Sequence, residues 1–344
     1  MTLGRLVATC VVVLLAVAGR ATAQLPVERH GDIVPRDVRE MYDRGLQYLA
    51  TTQTTNGDWT DGQQGPGCTG LALMVFLASG EDPNYGLYSN QVRRAIRSII
   101  SAQSAETGIL GTSMYHHGFA TLALAEAYGA VDERNLWPDN KGPRTIGQAL
   151  ELAARAAVTS QKKNPNSAWR YSPDASDADT SVSGSVLVGL LAARNAGIEI
   201  PDEAIDKAIG YYRSMTSSNG SVAYSGGMGG FGESAARSSI ATLVYALARR
   251  KDLKEYKAAL GHISEQLEQP TNAYPEYTRY YQAQALFQGD VAAWEKWNKL
   301  LVRQLKQAQR PDGSIPGQFG ASLGTSMSLL ALALNYRFLP IYER

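Results

Sequence analysis

The sequence contains little cysteine and little histidine, and this restricts the sites that the chain can build. Its 344 residues include two cysteines, Cys10 and Cys68, and four histidines. Cys10 lies in an N-terminal segment that we expect to be removed, so the mature chain would keep one cysteine and form no internal disulfide. A metal cluster held by several cysteine thiolates is excluded for the same reason. We therefore expect no metal site, and we expect no other cofactor.

An excess of charge of one sign is also lacking. The sequence has 33 Lys and Arg residues against 32 Asp and Glu residues, a formal net charge of +1. Proteins that bind nucleic acid attract its phosphates with a basic surface, so we expect no nucleic-acid partner. The apolar run at residues 6–18 is shorter than the about 20 residues of a membrane-spanning helix, and no later segment is uniformly apolar over that length. We therefore expect no transmembrane segment.

The N-terminal segment is typical of a secretory signal peptide. Arg5 precedes the apolar run, and Ala21-Thr22-Ala23 follows it as a small-x-small cleavage site. We predict that residues 1–23 are this signal and that its cleavage exports the chain to the periplasm or the extracellular space. Residues 24–344 would then form a single domain, because one helical pattern repeats along nearly all of them.

The repeating pattern is a pair of helices, and a new pair begins roughly every fifty residues. The first helix of each pair is amphipathic, with charged residues on one face, whereas the second is apolar nearly all round, as at residues 70–78 and 185–193. A helix without a polar face is buried on most sides. The pattern predicts an all-α fold, a single (α/α)6 toroid with an inner ring of apolar helices inside an outer ring of amphipathic ones. The six pairs begin near Pro35, Gln91, Thr145, Pro201, Leu253 and Val291.

The most specific motif lies at residues 44–59, where an amphipathic helix ends in a glutamine followed by a Gly-x-Trp turn. The stretch resembles the QW repeat of squalene and oxidosqualene cyclases, and partial copies occur at 94–108, 207–220 and 305–313. We predict a structural role, in which the glutamine amide satisfies backbone groups at a helix end and the tryptophan covers it. Every defined position of the repeat is filled, by Arg44, Gly45, Tyr48, Leu49, Gln53, Gly57 and Trp59.

The chain is therefore similar, over nearly its whole mature length, to the superfamily of terpenoid cyclases and protein prenyltransferases. In the cyclases an Asp-x-Asp-Asp-Thr motif begins an inner helix, and its middle aspartate protonates an alkene or epoxide; such an acid must be kept protonated by burial. Aligned on Thr180, only Asp179 matches here and Ala178 stands in place of the proton donor. Aligned on Asp-x-Asp, Asp177 and Asp179 match. The acidic motif is incomplete, and the alternative role of these residues is to cap the helix.

Other candidates lie where we expect the loops to form one rim of the toroid. His116 and His117 could orient an acid of the Asp177 region, or could serve packing alone. Cys68 lacks the Asp-x-Cys pair with which prenyltransferases hold zinc; it could be a reactive thiol or a small buried hydrophobe. Aromatic faces at the rim could stabilise a cation or stack on a sugar, although packing explains each of them as well. The candidate ligand-binding residues are Tyr115, Thr180, Phe231, Glu233, Tyr274 and Tyr277.

Three functions remain open. The resemblance implies an apolar or isoprenoid-type ligand, a small molecule or lipid, in a central cavity; an enzyme of this kind would act by acid catalysis as terpenoid cyclases do. The first alternative is a non-catalytic interaction scaffold with a filled centre, and the second is a carbohydrate-active (α/α)6 enzyme with paired carboxylates. An open cavity on which Asp177, Asp179 and His116 or His117 converge would favour the first function.

Overall fold

The computed structural model describes residues 34–226, 234–267, 274–336 and 339–342. The predicted signal peptide at 1–23 lies outside the described residues. Within these residues, twelve α-helices alternate between an outer and an inner ring. The outer helices are α1 (Arg36–Thr52), α3 (Ser89–Ser101), α5 (Ile146–Lys163), α7 (Asp202–Met215), α9 (Lys254–Ser264) and α11 (Val291–Ala308). The inner helices are α2 (Pro66–Leu77), α4 (Met114–Ala127), α6 (Thr180–Asn195), α8 (Ala235–Leu247), α10 (Pro275–Gly289) and α12 (Ala321–Ala333).

The inner helices form the core of the ring. Each packs against the next inner helix along the chain, and α12 packs against α2, which closes the circle. In α4 every residue except Tyr115 and His116 is buried, whereas α3 buries one stripe of side chains and leaves its opposite face partly exposed to solvent. This confirms the all-α (α/α)6 toroid that the helical periodicity predicts. None of the described helices has both the length and the hydropathy needed to cross a bilayer.

A side-chain amide fastens each of four outer helices to the next one, and we call this contact the amide clamp. At the end of α1 the Gln53 Nε2 donates to the carbonyl of Gly57 in its own turn (3.1 Å) and to the carbonyl of Gln91 in α3 (3.0 Å). The buried Trp59 covers the turn, and its indole N–H donates to the carbonyl of Leu49 (3.0 Å). One glutamine thus satisfies the turn that ends a helix and holds the neighbouring helix at a fixed distance.

The amide clamp recurs along the ring. The last copy joins α11 to α1 and therefore closes the outer ring as well. In the three further copies the donor–acceptor distances are 2.8 to 3.0 Å, from Gln103 to Gly108 and Ala149, from Gln161 to Ser167 and Ala204, and from Gln309 to Gly313 and Met41.

The sequence motif does not reveal the copy at Gln161. There the indole of Trp169 donates to the carbonyl of Ala157 (2.9 Å), as Trp59 does to Leu49. Ser167 adopts the left-handed backbone (φ 54°) that Gly57 adopts (φ 89°) in the first copy. A serine in the place of the glycine conceals this copy from a search for the motif.

Glycine in the turn allows the closest approach between neighbouring outer helices. A Cβ placed on Gly57 would lie 2.2 Å from the carbonyl oxygen of Arg94, and one on Gly313 would lie 2.2 Å from that of Arg44. Both glycines also have a positive φ of 89°, a backbone conformation that residues with a Cβ atom rarely adopt. The turn can therefore lie directly on the backbone of the next helix.

We predict that Gln103→Ala lowers the free energy of unfolding by about 2–4 kcal/mol, because two buried carbonyls lose their donor. Gln103 is buried and donates to both carbonyls. Urea denaturation followed by circular dichroism measures the change. Gln47→Ala, on the exposed face of α1, is the matched control and should change stability by less than about 0.5 kcal/mol. Equal urea midpoints for the two variants would contradict a stabilising role for the clamp.

Candidate functional site

A cavity of about 800 Å³ opens at the rim where the inner helices begin. Its volume lies within the range of small-molecule sites. The walls come from the first turns of α2, α4, α6, α10 and α12 and from the loops that lead into them. The lining residues are Gln63, Gly67, Cys68, Leu71, Thr112, Ser113, Tyr115, His116, Phe119, Tyr171, Ser181, Tyr224, Tyr274, Tyr277, Phe319, Leu323 and Met327.

The described cavity wall is mainly aromatic and carries no full charge. None of its described lining residues is Asp, Glu, Lys or Arg. Leu71, Leu323 and Met327 add aliphatic surface, while serine, threonine and tyrosine hydroxyls supply neutral polar groups. The aromatic lining residues are Tyr115, Phe119, Tyr171, Tyr224, Tyr274, Tyr277 and Phe319.

Contacts between the aromatic rings fix the shape of the wall. The ring of Tyr115 lies 5.3 Å from that of Phe119, 6.3 Å from that of Tyr171 and 6.2 Å from that of Tyr277, measured between centroids. At the mouth, Tyr274 stacks on Phe319 at 5.6 Å with an interplanar angle of 5°. Tyr274 is 46% exposed, so this pair presents a flat aromatic face to solvent.

The two adjacent histidines have different environments. His117 is fully buried: its Nδ1 accepts from the backbone N–H of Leu110, and its Nε2 therefore carries the proton and donates to the carbonyl of Ala153, both at 3.0 Å. Burial lowers the pKa of His117 to about 4. This histidine joins α4 to α5 and does not line the cavity.

His116 does line the cavity. Its ring lies on the backbone of Gly65 and Gly67, where a Cβ at Gly65 would lie only 2.8 Å from the ring. Burial lowers the pKa of His116 below its ordinary value of 6.5. The imidazole that faces the cavity is therefore mainly neutral at pH 7.

The two candidate acids lie beside the cavity wall rather than in it. The Asp177 side chain is 65% exposed and pairs with the Arg170 guanidinium at 2.9 Å. Asp179 is fully buried and caps α6: its Oδ1 accepts from the backbone N–H of Val182 at 2.7 Å, and its Oδ2 lies 3.5 Å from Arg170 Nε. Burial raises the pKa of Asp179 to about 6, although Val182 and Arg170 oppose the shift. The carboxylates thus form a cap and an ion pair at the start of α6.

Thr180 supports the wall without lining it. Its hydroxyl donates to the carbonyl of Ala223 (2.8 Å), and its backbone N–H donates to the carbonyl of Tyr224 (2.9 Å). The contact places the ring of Tyr224 at the cavity, where the Arg170 guanidinium lies 5.5 Å from the ring centroid. The candidates Tyr115, Tyr274 and Tyr277 all line the cavity. Phe231 and Glu233 lie outside the described residues.

Several lining residues are missing from the sequence-based candidates. Phe119 lies one turn after the candidate Tyr115 on α4, so helical spacing from Tyr115 would have found it. Leu323 and Met327, one turn apart on α12, had no candidate beside them in the sequence. Burial raises the pKa of the Cys68 thiol to about 12, which favours an unreactive thiol over a reactive one. In the described part of the chain, no group of three His, Cys, Asp or Glu side chains could hold a metal ion.

Comparison with known proteins gives structural relatives only. No protein-family model and no curated protein matches the chain. The alpha-1,6-mannanase GH76A of Salegentibacter sp., an inactive variant in complex with alpha-1,6-mannotriose, superposes with a TM-score of 0.66 at 11% identity, covering 87% of this chain and 99% of that one. A variant of the type II terpene cyclase MstE from Scytonema, in complex with geranylgeranyl dihydroxybenzoate, gives 0.60 at 15% identity, covering 88% and 98%.

A protein from Actinoplanes gives a TM-score of 0.60 at 13% identity, covering 87% of this chain and 99% of that one. At these identities the likeness shows the fold alone. The chain has the toroid fold of the terpene cyclase and of the mannanase, which confirms the cyclase-like toroid expected from the sequence.

We predict that Asp179→Asn changes how stability depends on pH. The native carboxyl holds its proton up to a pKa of about 6, against an ordinary value of 3.8, so between these values the folded state binds more protons and wild-type stability falls as pH rises. Asparagine caps the helix but does not ionise. Relative to wild type, the variant should gain about 1–3 kcal/mol between pH 4 and pH 7.

Urea denaturation at pH 4, 5, 6 and 7 measures this difference. Asp179→Ala, which also removes the cap, should show the same pH-dependent gain in stability relative to wild type, but its free energy of unfolding should be about 1 kcal/mol lower than that of Asp179→Asn at each pH. Parallel curves for wild type and Asp179→Asn would contradict the raised pKa.

Proposed function

We propose that the protein binds a neutral, largely apolar ligand of isoprenoid type in its central cavity. The observation that carries the proposal is the cavity wall: about 800 Å³ surrounded by aromatic and aliphatic side chains, with no fully charged residue among the described lining residues. Burying apolar ligand surface there is favourable by about 25 cal/mol per Å². A charged ligand would lose its hydration without gaining a counter-charge.

Binding without cyclisation agrees best with the positions of the acids. A cyclase needs a protonated acid in contact with the reacting double bond or epoxide. The residue in the donor's place is the buried Ala178, while Asp179 caps α6 and Asp177 pairs with Arg170 at the surface. No described lining residue is a carboxylic acid. We therefore propose a ligand-binding role rather than acid catalysis.

The fold supports this proposal in one respect. The terpene cyclase MstE, which has the same fold, is described in complex with a geranylgeranyl compound, so a toroid of this kind accommodates an isoprenoid chain in that protein. A scaffold with a filled centre is less favoured, because the centre here is open at the rim. If the predicted export takes place, the ligand would be taken up outside the cytoplasm.

A second candidate is binding of an oligosaccharide at the rim. The exposed stack of Tyr274 on Phe319 is a flat surface of the kind that sugars contact, and the mannanase relative is described in complex with a mannotriose. Hydrolysis would need two carboxyl groups about 5–9.5 Å apart, and the described cavity wall offers none. This candidate is therefore binding rather than cleavage.

Protection of Cys68 distinguishes the two candidates, because this thiol lines the cavity. Because burial keeps the Cys68 thiol mostly protonated, its modification is slow; the full chain would therefore be treated for hours with excess methyl methanethiosulfonate at pH 8.5, and modification of the Cys68 peptide followed by mass spectrometry. We predict that saturating farnesol slows modification at least about 10-fold, since an occupied cavity excludes the reagent, and that alpha-1,6-mannotriose does not.

The urea-unfolded chain is the control, and its modification rate should not change with either ligand. Protection by mannotriose alone would favour the oligosaccharide. No protection by either compound would overturn the proposal of a ligand-binding cavity.

A further inference from the structure

Among the described residues of the cavity wall, Tyr277 has a buried hydroxyl that makes no hydrogen bond. Tyr277 lies in the first turn of α10 and lines the cavity, although only 8% of its surface is exposed. A buried hydroxyl without a partner destabilises a protein by about 1–3 kcal/mol, so its presence at a cavity points to a group that arrives with the ligand.

The position of this hydroxyl is fixed by its ring. Tyr277 packs edge-on against Tyr281 at 4.9 Å and lies 6.2 Å from the ring of Tyr115. Burial raises the pKa of Tyr277, and contacts with the neighbouring hydroxyls of Tyr115, Ser181 and Tyr281 oppose that shift, but none of these contacts meets the geometry of a hydrogen bond. The phenol therefore keeps its proton at neutral pH and can donate it.

We propose that the Tyr277 hydroxyl donates a hydrogen bond to a neutral oxygen of the ligand, and that the ligand is an apolar chain bearing an ether, carbonyl or hydroxyl group. Ser181, which also lines the cavity, offers a second hydroxyl beside it. This inference rests on the proposed function and adds the chemistry of one end of the ligand.

An anionic head group does not fit the same place. The described cavity wall contains no Lys or Arg, and its imidazole, His116, is mainly neutral. The buried carboxyl of Asp179 is close enough to Tyr277 to act on it electrostatically. The nearby Arg170 guanidinium is paired with Asp177 and Asp179 and is not among the described lining residues. A buried diphosphate or carboxylate would therefore find no unpaired cation in the described wall to compensate for its lost hydration.

The test compares three probes that share a farnesyl chain: farnesene, farnesyl methyl ether and farnesyl diphosphate. The probe concentration that halves the rate of Cys68 modification gives a dissociation constant for each probe. We predict that the ether binds about 5- to 10-fold more tightly than the hydrocarbon, and that the diphosphate binds more weakly than the ether. In Tyr277→Phe, which lacks the donor, the ether and the hydrocarbon should bind equally.

Tyr211→Phe is the matched control. The Tyr211 hydroxyl is also buried without a hydrogen-bond partner in the described chain, but it belongs to the outer helix α7 and does not line the cavity. This variant should keep the preference for the ether. Thermal unfolding of both variants checks that they fold, and removal of an unpartnered hydroxyl should leave each midpoint unchanged or raised.

The outcomes separate the two proposals. If no probe protects Cys68, the proposed ligand-binding function fails. If the hydrocarbon and the ether bind equally tightly, or if Tyr277→Phe still binds the ether more tightly than the hydrocarbon, the proposed role of the hydroxyl is wrong, but the proposal of an apolar ligand cavity is retained. Tightest binding by the diphosphate would overturn the neutral head group in the same way.

Discussion

The rest of the structure depends on a hydrogen bond from a glutamine side chain at the end of one outer helix to the backbone at the start of the next. A helix end leaves carbonyl groups without partners, and the turn that follows must satisfy its own polar groups as well. Gln53 and Gln309 serve the turn and the neighbouring helix together. The last copy joins α11 to α1, so the clamp also links the last outer helix to the first.

Hydrogen bonds between the loops at the rim hold the residues that line the cavity. Among the described residues, loops at the starts of inner helices are bonded to neighbouring loops: the backbone N–H of Gln63 donates to the carbonyl of Phe319 (2.7 Å), and that of Met114 donates to the carbonyl of Tyr171 (2.8 Å). These bonds hold Phe319 and Tyr171 at the mouth. The aromatic wall is thus positioned by backbone contacts between repeats, and its chemistry can differ between proteins that share the fold.

The fold was predictable from the sequence because the pattern of apolar and polar residues is periodic and repeats along the chain, whereas the site depends on the orientation of individual side chains. Apolar and amphipathic helices alternate, so the two rings could be assigned before any contact was known. In contrast, His116 and His117 are adjacent on one helix and therefore point in different directions; only His116 faces the cavity. The sequence likewise shows Asp177 and Asp179 as a pair, but burial separates an exposed ion pair from a buried cap.

We propose that the toroid holds a neutral, apolar ligand with an oxygen atom. The same fold occurs in a protein described with an isoprenoid compound and in one described with a mannotriose, so the ligand must be identified directly. The most direct measurement is organic-solvent extraction of the protein purified from the organism that produces it, followed by mass spectrometry of the extract. The account predicts a neutral lipid bearing an ether, carbonyl or hydroxyl oxygen, in about one copy per chain. An anionic lipid, an oligosaccharide or no bound molecule would contradict it.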